Sequence, residues 1–202
     1  MKRRPESGRC HSEQVFEGLS LEGGEVASAE FRECEFAHGA FQEATLRACT
    51  FVECVFRECD LSLARLPHCH FTAVRFEKCK AIGVNWAESR WPEKRIWTPL
   101  EFRACVLDHS TFLGLDLKGV RFEECSAKDV DFREADLSES TFRGTDLEGS
   151  LFAETNLSGA DLRGAVNYLI ASGSNKLKGA RFSLPEAMSL LAAMDIKIDD
   201  WD

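Results

Sequence analysis

A large apolar side chain recurs at every fifth position: Phe16, Leu21, Val26, Phe31, Phe36, Phe41, Leu46, Phe51, Phe56, Leu61, Leu66, Phe71 and Phe76, followed by Ala81 and Trp86. The frame slips by one residue and resumes at Phe102, Leu107, Phe112, Leu117 and Phe122, then continues through Ala127, Phe132, Leu137, Phe142, Leu147, Phe152 and Leu157 to Leu162. Leu177 and Phe182 keep the phase, with Asn167 and Ser172 as misfits. Two residues before each large side chain sits a small one, such as Ala29, Cys34, Cys49, Ser110, Ala135 or Thr145. A period of five matches neither the 3.6 of a helix nor the 2 of a flat strand. It predicts a chain that turns a corner at each unit, closes a square after four and climbs as a β-helix with coils about 4.8 Å apart. Residues 20 apart then stack, giving columns such as Phe16, Phe36, Phe56 and Phe76, or Phe31, Phe51, Phe71 and Trp91.

Between Trp86 and Phe102 lie three units plus one residue, in a stretch that holds Trp91-Pro92, Trp97 and Thr98-Pro99. One extra residue predicts a bulge at about 87–101 that divides the rod into two stacks, since proline also removes a ladder donor. Trp91-Pro92 is a candidate cis bond. At the far end Ser183-Leu184-Pro185-Glu186 reads as a capping box with proline in the first turn, ahead of Ala187, Leu190, Leu191 and Met194 on one helical face. Ile196 and Ile198 alternate with Lys197 and Asp199 as a short strand would. The organisation is therefore a polar tail over 1–15, repeats over 16–182 and a cap over 183–202. A solenoid needs its ends covered. The cap is a lid whose surplus apolar surface predicts pairing with a second copy through Ala187, Leu190, Leu191, Met194, Ile196 and Ile198.

Composition refines this. The chain has 202 residues, enough for one domain, with 15 Phe, 9 Cys and a single Tyr. Eight cysteines occupy the small inward position, Cys10 being the exception. Stacked pairs such as Cys59 and Cys79 are within disulfide reach, but parallel side chains in a dry core read as small hydrophobes. His68 and His70 flank Cys69, which points inward and so shares no ligand site with them. No Walker loop, dinucleotide fingerprint, HExxH or GxSxG occurs, and neither a cofactor, a metal nor catalysis is expected. Met1-Lys2-Arg3-Arg4 runs into Pro5-Glu6-Ser7 rather than an apolar signal core, so the chain is expected to be soluble and cytoplasmic.

The formal net charge is −9, which disfavours direct binding to nucleic acid or an anionic membrane. Residues 102–165 carry 13 acidic against 7 basic side chains. Over about 15 Å of rod this is one net charge per about 2.5 Å, against about 1.7 Å for duplex DNA. The face through Leu107, Ala127 and Leu147, with Asp108, Asp129, Asp146 and Glu148 outward and solvated, is the most negative. Asp116 and Asp136 stack on a neighbouring face. Acid on the outer positions of a solenoid also serves solubility, so charge alone leaves both readings open.

Units such as Ala135-Asp136-Leu137-Ser138-Glu139, Thr145-Asp146-Leu147-Glu148-Gly149 and Ala160-Asp161-Leu162-Arg163-Gly164 resemble the pentapeptide-repeat family. The resemblance implies an all-β solenoid, a right-handed quadrilateral β-helix of about 8 coils and about 40 Å. Off-pattern segments, among them Gly83-Val84-Asn85-Trp86, Ala165-Val166-Asn167-Tyr168 and Ala180-Arg181-Phe182-Ser183-Leu184-Pro185-Glu186-Ala187, resemble the gyrase-protecting branch of albicidin- and quinolone-resistance proteins, the albicidin type most closely. That resemblance implies a homodimer joined at the C-terminal cap and an acidic rod that imitates DNA. The partner it implies is DNA gyrase, with topoisomerase IV a second candidate and no small-molecule substrate. Quinolone-resistance members carry projecting loops, whereas a one-residue slip argues against a loop-dependent mode here. A structural or adaptor solenoid without topoisomerase contact is the alternative.

Overall fold

The computed structural model describes residues 5–91 and 100–196. The strands Val15–Glu17, Glu35–Ala37, Val55–Arg57, Val74–Glu77, Leu100–Arg103 and Arg121–Glu123 stack in parallel as one face. Register is set by the repeat: Phe36 lies opposite Phe16 and Phe56, and Phe31 lies opposite Phe51. Single bridges carry the same register onward, for example Asp136 to Asn156 and Thr141 to Asp161. The fold is thus the expected all-β quadrilateral β-helix, its core a column of large side chains nearly all buried.

Most corners place the second residue after the large side chain at a positive φ, 52° at Glu33 and 58° at Leu63 for instance, and they are of two kinds. At some the next N–H returns to the carbonyl of the large residue, as from Ala64 to Leu61 at 2.9 Å, whereas at those after strand residues such as Phe31 and Phe51 the corner is an open bend. The hydrogen-bonded kind has the turn geometry that favours glycine at its third position. The positive-φ amide itself donates along the rod, Glu33 to the Val52 carbonyl at 2.9 Å. At Gly149, φ is +70°, and a Cβ would meet Asp129 Oδ1, so any other residue there would need the Asp129 side chain to turn away.

The break differs from its expected form. Val74 pairs with Leu100 and Phe76 with Phe102, and Lys80 pairs with Val106 in the same register. Up to Trp91 the chain is regular, since Arg90 still bridges His70 and the Trp91 ring stacks on Phe71 at 6.3 Å. One coil is therefore enlarged, holding a whole extra unit and one residue more. Reading the frame in units of five conceals the displaced unit and reveals only the odd residue. The rod is not divided into two stacks: Trp86 lies parallel to Phe112 at 5.7 Å, and Phe76 to Phe102 at 5.0 Å. Pro92, Trp97 and Pro99, and with them the candidate cis bond Trp91-Pro92, lie outside the described residues. The Leu184–Pro185 bond is cis.

Both ends also depart from expectation. The ladder begins within the supposed tail, as Cys10–Ser12 pairs with Glu30–Arg32 and the His11 ring stacks on Phe31 at 5.1 Å. His11 is simply the preceding frame position, masked by its polar character. At the other end helix α1 spans only Met188–Ala192, with Ala187 at its start and no side-chain cap. The capping box is not formed, because Ser183 Oγ instead accepts from the Gly164 amide at 2.9 Å and ties the cap to the preceding coil. Asn167 and Ser172 stay out of the core, where Tyr168 and Ile170 are buried in their stead.

Candidate interaction surface

The large and small inward positions leave two outward side chains per unit and one at the corner. Aspartates that precede the large residue bend back on the turn, accepting the amide two residues on: Asp60 from Ser62 at 3.0 Å, Asp136 from Ser138 at 2.9 Å and Asp161 from Arg163 at 3.2 Å. Their carboxylates have a local structural use before any role toward a partner.

The most negative face is less uniformly solvated than expected. Asp108 is half-buried and accepts from Ser126 Oγ at 2.7 Å and from the Lys128 amide at 2.9 Å. Asp146 is half-buried too, accepting from Asn167 Nδ2 at 2.8 Å. Lys128 Nζ lies between Asp146 at 3.0 Å and Glu148 at 2.7 Å, so a cation occupies the centre of this face. These two carboxylates raise the Lys128 pKa, Glu148 contributing most. Burial opposes ionisation of Asp146, but the hydrogen bonds from Asn167 and Lys128 prevail and hold its pKa below the ordinary value. Asp129 and Glu148 are exposed, with His109 Nδ1 at 3.6 Å from Asp129. Asp116 and Asp136 are two units away, half a coil on, and so stand on the opposite face rather than a neighbouring one. Asp116 is exposed and bridges half-buried Asp136, which accepts from Asn156 Nδ2 at 3.1 Å. The expected acidic residues are therefore divided between two opposite faces of the rod, and Asp108, Asp136 and Asp146 also brace it.

Corner carboxylates were the missed feature. Glu33 and Glu53 stand exposed one above the other, with positive φ and no ion pair among the described residues. With Glu35, Arg75, Glu101 and Arg121 they line a groove beside the enlarged coil. A reading of fifth positions at 20-residue spacing would have found them.

The inward cysteines are hydrogen-bonding groups rather than mere hydrophobes. All nine are free, and eight are buried. Cys59, Cys79, Cys105 and Cys125 form one column in which each thiol donates to a carbonyl of the coil before, Cys79 to Phe56 at 3.4 Å and Cys105 to Phe76 at 3.3 Å. The Cys59 amide donates to Cys79 Sγ at 3.4 Å, and Thr145 continues the column with the same pair of bonds. Hydrogen bonding to the next thiol, with burial, pushes the Cys79 and Cys105 pKa values up to about 12. Cys69 uses its thiol in the same way, toward the Leu46 carbonyl at 2.9 Å, apart from outward His70.

Of the expected pairing residues, Ala187, Leu190 and Leu191 are half-buried, while Met194 and Ile196 are exposed. Met194 lies beyond the end of α1, so the four do not form one helical stripe. Ile198 and the strand expected around it fall outside the described residues. Among the described residues no helix is long and apolar enough to cross a membrane.

Comparison with known proteins agrees with this geometry at the level of fold. HetL, a pentapeptide-repeat protein involved in heterocyst differentiation regulation in the cyanobacterium Nostoc sp. strain PCC 7120, superposes with a TM-score of 0.70 at 18% identity, covering 89% of this chain and 87% of that one. Trypsin-treated QnrB1, a plasmid-mediated fluoroquinolone resistance protein, superposes at 0.59 and 17% identity, covering 95% of this chain and 99% of that one. Full-length QnrB1 gives 0.55 at 17% identity over 93% and 100%. No curated protein matches the chain. The family model described as a pentapeptide repeat region matches residues 29–112 and 97–162, most of the solenoid, and the chain belongs to the pentapeptide-repeat family.

Proposed function

We propose that this chain is an interaction protein rather than an enzyme, and that it binds DNA gyrase and protects it from poisons such as albicidin or quinolones. The observation that carries this reading is the acidic rod beyond the enlarged coil, whose carboxylates repeat at the strand spacing and include exposed Asp116, Asp129 and Glu148. A stiff rod of near-duplex charge density is suited to a basic groove that normally holds DNA. The shared fold with QnrB1 supports the same partner. The extra unit in the enlarged coil also removes the argument that a one-residue slip set against a loop-dependent mode. The proposed protein acts as a cytoplasmic homodimer joined at the C-terminal segment, with topoisomerase IV a second target.

The superposition on HetL favours a second reading, an adaptor solenoid with no topoisomerase contact. A supercoiling assay separates the two. Gyrase poisoned by albicidin or a quinolone should regain supercoiling activity when this protein is added. Absence of rescue, together with absence of binding to gyrase, would favour the adaptor.

A further inference from the structure

The face built from the strands between Val15–Glu17 and Arg121–Glu123 presents two outward rows, one before and one after the buried large residue. In register across successive strands, Arg75 lies beside Glu101 and Glu101 beside Arg121, while Glu77 lies beside Arg103 and Arg103 beside Glu123. Signs therefore alternate both along the rod and across each strand. Asp161 and Arg163 repeat the alternation two coils further on, and the remaining coils of this face carry at most one charge at the two positions. Opposite charges on neighbouring strands ordinarily serve their own sheet. Here Arg75, Arg103 and Arg121 are exposed, Glu101 and Glu123 are half-buried, and none of the five makes an ion pair among the described residues.

We infer that this face is a lateral contact surface for a second copy of the chain, the two rods lying side by side with equivalent faces together. The contact is separate from the C-terminal segment and does not depend on gyrase binding. A two-fold axis parallel to the rod carries the row before the large residue onto the row after it, within the same coil. Arg75 then meets the partner's Glu77, Glu101 the partner's Arg103 and Arg121 the partner's Glu123, each twice by symmetry. A polyanion would satisfy the arginines and repel the interleaved glutamates, whereas a second copy satisfies both. The face is roughly 10 Å wide and 40 Å long, about 400 Å² on each copy, half of what a standard interface buries, so the pair is transient and salt-sensitive.

Sedimentation equilibrium of the full chain at up to about 1 mM tests this, in about 0.1 M and 1 M salt, the Debye length falling from about 10 Å to about 3 Å. At the lower salt the parent should add a species of twice the mass it shows at the higher, with association at least about tenfold stronger. Arg103→Glu with Arg121→Glu sets carboxylates against carboxylates, and Glu101→Lys with Glu123→Lys sets cations against cations. Each variant alone should lose the larger species, with circular dichroism unchanged. An equimolar mixture should recover it, because every coil is then matched across the pair. If a reversed variant does not fold, Arg103→Gln with Glu123→Gln takes its place and should weaken the contact about tenfold. A parent of the same mass at both salts overturns the inference, as do variants that associate like the parent. Loss in both variants without recovery in their mixture overturns it too, since complementary charge would not then be the cause. None of these substitutions touches the C-terminal segment, so a pair that persists at high salt reports that segment alone.

Discussion

Phe76 lies face to face with Phe102, ring centroids 5.0 Å apart and planes 12° from parallel, although more than a regular coil of chain separates them. The stack closes over the excess as if it were absent. Two residues lie between the large side chain and the next small one in a regular unit, Val52 and Glu53 after Phe51 and Thr72 and Ala73 after Phe71, whereas eight lie between Trp91 and Leu100. Replacing residues 92–99 by Thr-Gly should thus restore a regular coil and leave a folded rod. Thermal melting within a few degrees of the parent is expected, and a collapse of the transition would refute the register. The same variant in the supercoiling assay tells whether the excised segment takes part in protection.

Phe56→Ala should cost about 3–5 kcal/mol in denaturant melts. Its ring is stacked on Phe36 at 4.5 Å and on Phe76 at 4.9 Å, and Phe51 and Phe41 meet it edge-on. Neighbours held by the ladders on both sides cannot collapse into the space. Arg57 next to it bridges Glu35 and Glu77, but all three are partly exposed. Arg57→Ala is expected to cost less than about 1 kcal/mol. Similar losses for the two variants would contradict the columnar core.

The columns were legible because burial on a five-residue period leaves its mark at every unit. What escaped the sequence was polar or non-periodic: His11 as the end of the Phe31 column, and Tyr168 and Ile170 as fillers beside Asn167. The acidic side was legible as composition, yet its division of labour was not. That Asp108 reaches the amide of Lys128 depends on which coil lies above it, a long-range fact that the residue type does not encode.

The thiol column gives a third expectation. Cys79→Ala removes the donor to the Phe56 carbonyl and the acceptor for the Cys59 amide, both buried. An unsatisfied buried group costs about 1–3 kcal/mol. Cys79→Ser keeps both bonds, as Thr145 does further along the same column, and should lose less. Equal losses would show that the thiol acts only by its volume. In thiol titration without denaturant, exposed Cys10 alone should react.

Stability should fall in acid. Hydrogen bonds from Arg163, at 2.8 Å and 2.6 Å, hold the Asp161 pKa at about 2, and Arg133 lowers that of Asp131 similarly. A carboxylate whose pKa is lower in the folded chain stabilises it fully above its unfolded pKa, about 3.9, and ceases to as pH falls through the folded value. Urea melts should be flat from pH 7 to about 5 and decline between about 4 and 2. Asp161→Asn should decline less steeply over that window. An unchanged slope would remove the pair from the account.

The acidic side supplies the prediction with most consequence for function. Reversing Asp108 or Asp146 would confuse binding with folding, since both accept hydrogen bonds that fasten successive coils. Asp129 and Glu148 are exposed on the same face and touch the adjacent coil only through solvent-exposed pairs with His109 and Lys128, which water weakens, and asparagine tolerates the positive φ of 53° at position 129. Asp129→Asn with Glu148→Lys should therefore leave circular dichroism unchanged while weakening gyrase binding and protection by tenfold or more, each charge removed from a contact that neutralises phosphate-like groups. Binding of the parent should fall as salt rises and should compete with duplex DNA, because both ligands require the same basic groove. Arg121→Gln with Arg143→Gln makes the face through Phe102, Phe122 and Phe142 more negative and should preserve or strengthen binding. Were the acidic-face variant to protect gyrase as well as the parent does, recognition would have to lie elsewhere, and the groove lined by Glu33, Glu35 and Glu53 would be the next surface to reverse.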